Sequence, residues 1–156
     1  MARRNLITLT ATLMALAGPA WAACTDATPA CLEAAAKSYL DGLVTHDGSK
    51  VQFGPQIAIH EHGRTTSMTE AEARAYVDRQ VTMKGYRNAS YVAADGQVVQ
   101  LVEIDITFDE ADATRMKTTP GDHTLYVANA YRVEKGLIRE IDTRFNINAA
   151  SPSFGR

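Results

Sequence analysis

Between Leu32 and Val44, apolar side chains return every three or four residues: Leu32, Ala35, Ala36, Tyr39, Leu40, Leu43 and Val44. That spacing predicts an amphipathic helix over Pro29–Thr45. Thr28 stands at its cap and Pro29 at its first helical position, and His46-Asp47-Gly48 closes it. Ile57 and Ile59 then alternate with Ala58, His60 and His62, the period of a strand over Gln56–His62. Thr69-Glu70-Ala71-Glu72 has the form of a capping box and opens a second helix expected to reach Met83, with Lys84-Gly85 as its stop. Alternation takes over afterwards. Strands are expected at Arg87–Ala94, Gln97–Phe108, His123–Val133 and Leu137–Asn148. Asp95-Gly96 and Glu134-Lys135-Gly136 are tight turns, and Asp109–Asp122 is a polar loop. The long strand Gln97–Phe108 carries Val98, Val102, Ile104, Ile106 and Phe108 on one face.

Helix, strand, helix and four consecutive strands make an α+β layout: a curved antiparallel sheet wrapped around the N-terminal helices. Residues 23–148 form the expected domain, and residues 149–156 a loose tail.

The first residues do not belong to that pattern. Arg3 and Arg4 precede an apolar run from Leu6 to Ala17, broken by Gly18-Pro19 and followed by Ala20-Trp21-Ala22. This is the form of a secretory signal cleaved after Ala22, so residues 1–22 are expected to be a leader and the mature chain secreted or periplasmic. The run is shorter than the ~20 residues of a spanning helix. A retained anchor is therefore the weaker reading, as is a lipoprotein, since Trp21 fits poorly ahead of Cys24. In an oxidising compartment the two cysteines of the chain, Cys24 and Cys31, are expected to pair. Closing so short a loop contributes roughly 2.5 kcal/mol. Net charge is −2 for the whole chain, and loss of Arg3 and Arg4 makes the mature part more acidic. That balance gives no reason to expect nucleic acid as a partner, and no later segment is long and apolar enough for stable membrane insertion.

Three local features resemble the nuclear-transport-factor-2-like superfamily, which includes the SnoaL-like proteins. They are the helix end Leu43-Val44-Thr45-His46-Asp47, the strand end Glu61-His62-Gly63, and the hairpin from Arg132 to Asp142 with its turn at Gly136. The resemblance spans about Pro29 to Asn148. It implies a cone-shaped cavity of the kind that hosts dehydratases, isomerases, aldol-type cyclases, epoxide hydrolases, lyases and plain binding proteins. It does not choose among them.

The candidate chemistry lies mostly on strands. His60 and His62 share a strand face about 7 Å apart, with Glu61 on the other. Read functionally, the histidines are acid–base groups of the cavity, since imidazole titrates near neutrality; read otherwise, Ile57 and Ile59 own the interior and the histidines face solvent. A metal site ranks last, because only His46 and His123 remain as further histidines. On the next-to-last strand Asn129 and Tyr131 share a row with Leu125, Val127 and Val133, while Tyr126 lies on the opposite face with Arg132. On the last strand Glu140, Asp142 and Arg144 form one row. It is either a solvated charge row or an Asp–Arg pair at the cavity rim, part of the Asp-Arg-Asp set used by epoxide hydrolases of the superfamily. Tyr39 is placed first in the core; the resemblance also implies a Tyr or Asp from this helix in the pocket.

The catalytic candidates are thus His60, His62, Tyr131 and Arg144. The ligand-binding candidates are Glu61, Tyr126, Asn129 and Asp142. No metal or cofactor is expected. The leading expectation is an exported protein that binds a small apolar or aromatic molecule. The alternative is a cofactor-independent lyase, dehydratase or isomerase working by His acid–base chemistry. A third is an interaction module using its outer sheet face, as a homodimer.

Overall fold

The computed structural model describes residues 27–61, 63–80 and 82–147. The leader, Cys24, His62, Asn148 and the tail lie outside the described residues. Helix α1 is Pro29–Thr45. It buries Leu32, Ala35, Ala36, Tyr39, Leu40 and Leu43, the three-and-four row of the sequence, and ends at His46 in left-handed geometry at φ 53°. A single 3₁₀ turn, Gly48–Lys50, follows. Next come β1 (Phe53–Glu61), β2 (Arg64–Thr69), α2 (Glu70–Asp78), β3 (Met83–Ala94), β4 (Gln97–Phe108), α3 (Glu110–Met116), β5 (Gly121–Glu134) and β6 (Leu137–Ile147).

The six strands form one sheet in the order β2-β1-β6-β5-β4-β3. The last four form the expected meander. The sheet as a whole is mixed, not purely antiparallel: β1 runs parallel to β6, with Ile59 opposite Ile141 and His60 opposite Asp142. The reason is topological. β1 reaches the far side of the meander and docks beside the last strand, a pairing of distant segments that no local turn dictates. The other difference in β1 is its extent, since Phe53 and Gly54 already pair as strand.

Helix α1 packs on β3, β4, β5 and β6, and α2 on β1 and β2. The capping box of α2 forms as its sequence implies. Glu72 N donates to Thr69 Oγ1 at 3.3 Å, and Thr69 N donates to Glu72 Oε2 at 2.8 Å. The helix stops at Asp78 instead of Met83, because Met83 already opens β3, opposite Ile106 of β4. The core lies between the helices and the inner sheet face. Val98, Val102, Ile104, Ile106 and Phe108 from β4 meet Leu125, Val127, Tyr131 and Val133 from β5 and Ile141 from β6. Among the described residues no helix is long and apolar enough to cross a membrane.

Candidate functional site

The packing of helices on the inner sheet face leaves a cavity of about 240 Å³. Alternation decides what reaches it. On β1 the inward positions are Ile57 and Ile59, both buried, and Glu61 continues that row to the mouth. On β5 the inward row carries Leu125, Val127 and Asn129, and on β6 it carries Thr143 and Phe145. Helix α1 contributes Tyr39 and Leu43, α2 contributes Tyr76, and α3 contributes Asp112, Arg115 and Met116. An outer vestibule lined by Arg64, Thr66 and Met68 shares Glu61, Tyr76, Arg115 and Phe145 with the cavity.

The deep end is polar. Asn129 is 3% exposed and Gln100 fully buried. Asn129 Nδ2 donates to Gln100 Oε1 at 2.9 Å and to the Tyr131 hydroxyl at 3.0 Å. That hydroxyl donates to Gln100 Oε1 at 2.8 Å, and Thr143 Oγ1 donates to Asn129 Oδ1 at 2.8 Å. The Gln100 amide also acts on Tyr91, where it works against the upward push of burial on that phenol. Buried polar groups tied in this way hold their side chains in one arrangement.

Two phenols, Tyr39 and Tyr76, also line the cavity. The ring of Tyr39 packs edge-on against Phe53 and Tyr131, each at 6.1 Å between centroids. Among the described residues no hydrogen bond engages the hydroxyl of Tyr39 or Tyr76. Burial pushes Tyr39 well above the ordinary phenol range, and Tyr76, Tyr131 and the Glu61 carboxylate add to it. Burial and then Glu61 push Tyr76 up to about 12, with Arg115 acting the other way. Both hydroxyls therefore keep their protons at neutral pH and remain hydrogen-bond donors. At the mouth, Arg115 Nη2 donates to Asp112 Oδ1 at 2.6 Å.

The sequence candidates divide between two faces. Asn129 and Glu61 line the cavity, and Tyr131 lies just behind it in the buried network. His60 does not face the cavity. It projects from the opposite face of β1, where Nε2 meets Glu140 Oε1 at 2.9 Å and Nδ1 meets Thr65 Oγ1 at 2.8 Å. The reason is the alternation itself, which gives the interior to Ile57 and Ile59. Asp142 and Arg144 are on that outer face too, paired with each other at 3.3 Å. Tyr126 shares an outer groove with Arg144, Leu101 and Ala128. His62 lies outside the described residues, and so does Cys24. Its expected partner Cys31 is buried in α1 and bonded to no other cysteine among the described residues.

Four polar contributors were not singled out from the sequence. Gln100 was legible in principle, as a polar residue in the inward row of Val98 and Val102. Thr143 was legible in the same way, two residues beyond Ile141. Asp112 and Arg115 stand on α3, whose polar composition predicts a loop instead of a helix. Among the described residues, no three His, Cys, Asp or Glu side chains converge to hold a metal ion.

Solved structures with this arrangement include a protein assigned as a polyketide cyclase from Xanthomonas campestris. It is 14% identical, with a TM-score of 0.61 over 76% of this chain and 92% of that one. A protein assigned as a ketosteroid isomerase from Kribbella flavida is 14% identical, with a TM-score of 0.59 over 82% of this chain and 86% of that one. An NTF2-like protein from Burkholderia xenovorans is 11% identical, with a TM-score of 0.60 over 78% and 93%. At these identities the likeness shows the fold, which is that of the nuclear-transport-factor-2-like and SnoaL-like proteins. No curated protein matches the chain in sequence. One family profile does match, over residues 25–145, and by it the chain belongs to the family described as Domain of unknown function (DUF8021).

Proposed function

We propose that the chain is an exported protein that binds a small organic molecule in the cavity between α1, α2, α3 and the inner face of the sheet. The observation that carries this reading is the make-up of the cavity. An apolar wall of Ile59, Ile104, Ile106, Phe108, Leu125 and Val127 surrounds a few fixed polar groups, the pattern of a small-molecule site. Heteronuclear NMR with a panel of small aromatic compounds tests it. Shifts should concentrate on Tyr39, Ile59, Ile104, Val127 and Phe145. Shifts confined to the outer groove around Tyr126 and Arg144 would refute it.

A second reading is favoured by the grouping of Glu61 with Tyr39 and Tyr76. A carboxylate that takes a proton from carbon next to a carbonyl, with phenol hydroxyls donating to the resulting enolate oxygen, needs no cofactor. Returning the proton to a different carbon completes an isomerisation. Because His60 is turned away, Glu61 replaces it as the base in this reading. The cyclase and isomerase assignments of similarly folded proteins support it. Deuterium exchange into a cyclic ketone, followed by proton NMR, should be catalysed and should be lost in Glu61→Gln. Exchange equal to that in buffer would rule the reading out.

Export and the disulfide stand on the sequence. Protein from its native host should begin near Ala23 by intact mass. Denatured but unreduced, it should take up no alkylating label at Cys24 and Cys31; a retained Met1, or label at both thiols, contradicts the respective claim.

A further inference from the structure

The hydrogen bonds at the deep end have a direction. Both Asn129 Nδ2 hydrogens are committed, to Gln100 and Tyr131. The Tyr131 hydrogen goes to Gln100, and the Thr143 hydrogen goes to Asn129 Oδ1. Asn129 and Thr143 both line the cavity, and what they still offer there is oxygen lone pairs: two on Thr143 Oγ1 and one on Asn129 Oδ1. Backbone amides of these residues belong to the sheet ladders, with Asn129 opposite Thr143 on one side and Gln100 on the other. Gln100 Nε2 is a buried donor with no hydrogen-bond partner among the described residues, but Gln100 does not line the cavity. The two polar side chains that do line it here, Asn129 and Thr143, therefore accept hydrogen bonds and have none to donate.

Size and charge narrow the occupant further. At the packing density of a protein interior, about 240 Å³ holds roughly a dozen non-hydrogen atoms. That is less than the ~300–1,000 Å³ of drug-sized sites. A ligand anion would find Arg115 already paired with Asp112, and Glu61 at the mouth opposes it. A ligand ammonium at the deep end would be buried without a carboxylate to meet it. Phe108, Phe145 and the aliphatic side chains supply an apolar wall for a ring.

We infer that the cavity selects a neutral, single-ring molecule bearing a hydroxyl, whose one O–H donates to Thr143 Oγ1 or to Asn129 Oδ1. This inference rests on the cavity being the binding site. The hydroxyl enters first and the ring fills the apolar middle. The Tyr39 and Tyr76 hydroxyls, from residues that also line the cavity, are the donors a carbonyl on the ring would find. A methyl ether in place of the hydroxyl leaves the two oxygens facing a group that cannot donate, at the cost of burying unpaired acceptors.

The test is calorimetric titration of the mature protein, wild type and Thr143→Val, with para-hydroxyacetophenone, para-methoxyacetophenone and progesterone. Wild type should bind the phenol roughly tenfold or more tighter than its methyl ether and should bind progesterone more weakly than the phenol. Thr143→Val keeps the shape and removes one of the two acceptors, so it should clearly reduce the advantage of the phenol over the ether. If its melting curve shows misfolding, Thr143→Ala replaces it with the same expectation. An ether bound as tightly as the phenol by wild type overturns the inference and leaves the cavity reading standing. So does a preference undiminished by loss of Thr143, or progesterone as the tightest of the three. Absence of binding by every probe overturns both.

Discussion

The hydroxyl of Tyr131 donates to Gln100 Oε1 and accepts from Asn129 Nδ2, and all three side chains are buried. Removing that oxygen leaves two buried amides each one partner short. Tyr131→Phe should therefore lower stability by about 1–3 kcal/mol, read as a shift of the urea midpoint at unchanged slope; a loss within error would show that the network relaxes. Tyr76 makes a different prediction. Burial raises its folded pKa to about 12, above the ~10 of an unfolded chain. The folded state thus holds the proton more firmly, so its contribution is complete below pH ~10 and is lost as pH rises toward 12. In urea titrations from about pH 9 to pH 11, wild type should lose stability more steeply than Tyr76→Phe. Parallel slopes would show that Tyr76 is not the group responsible. Strand alternation assigns faces without any tertiary knowledge, so the shared rows of Asn129 with Val127 and of Glu61 with Ile59 were legible in the sequence. It could not say which face of β1 encloses a cavity. His60 was attractive for its chemistry, yet Ile57 and Ile59 already marked the interior.

The 3₁₀ turn after α1 is held against α2 by backbone contact. Gly48 N donates to Asp78 Oδ1 at 2.6 Å, and the Arg74 guanidinium donates to Gly48 O. A Cβ at Gly48 would come within 2.6 Å of Arg74 Cα, and backbone atoms cannot step aside as the end of a side chain can. Gly48→Ala should accordingly cost about 1–3 kcal/mol by overpacking. The melting temperature should fall, with far-ultraviolet helix signal retained below the transition. No change would mean that α2 shifts freely. Such element-to-element contacts explain which elements were legible. α1 and β4 have long periodic rows, and their bounds follow from sequence. β2 has no buried residue in Arg64–Thr69 and pairs only with β1 at the sheet edge, so it leaves no alternation to read. α3 buries only Ala113. Its one sequence signal was the cap, Asp109 accepting from Asp112 N at 2.8 Å, an Asp-Glu-Ala-Asp start easily taken for polar loop. The parallel pairing of β1 with β6 has no local signature at all, since it depends on where the whole meander ends.

At the scale of the molecule, the outer face of the sheet remains. Val92, Val99 and Leu101 are 73%, 48% and 46% exposed. The register sets Val92 beside Val99, Val99 beside Ala130, and Leu101 beside Ala128, so they form one apolar strip across β3, β4 and β5. Charges of both signs flank it. Arg87 pairs with Glu103 at 2.8 Å on one side, and Arg132 pairs with Glu140 at 3.0 Å on the other. A strip of this kind is suited to a second copy of itself. In a two-fold, face-to-face arrangement apolar meets apolar, and each flank offers both a cation and an anion to the other. We propose a homodimer through this face, which leaves the cavity on the far side of each sheet. Sedimentation equilibrium at micromolar concentration should then give twice the chain mass. Leu101→Glu puts a carboxylate into the strip twice, once from each copy, and should weaken association roughly a hundredfold. Because Leu101 is already exposed, the monomer should melt close to wild type. A wild-type monomer at every concentration, or a Leu101→Glu protein as dimeric as wild type, would show that the outer face has no such partner.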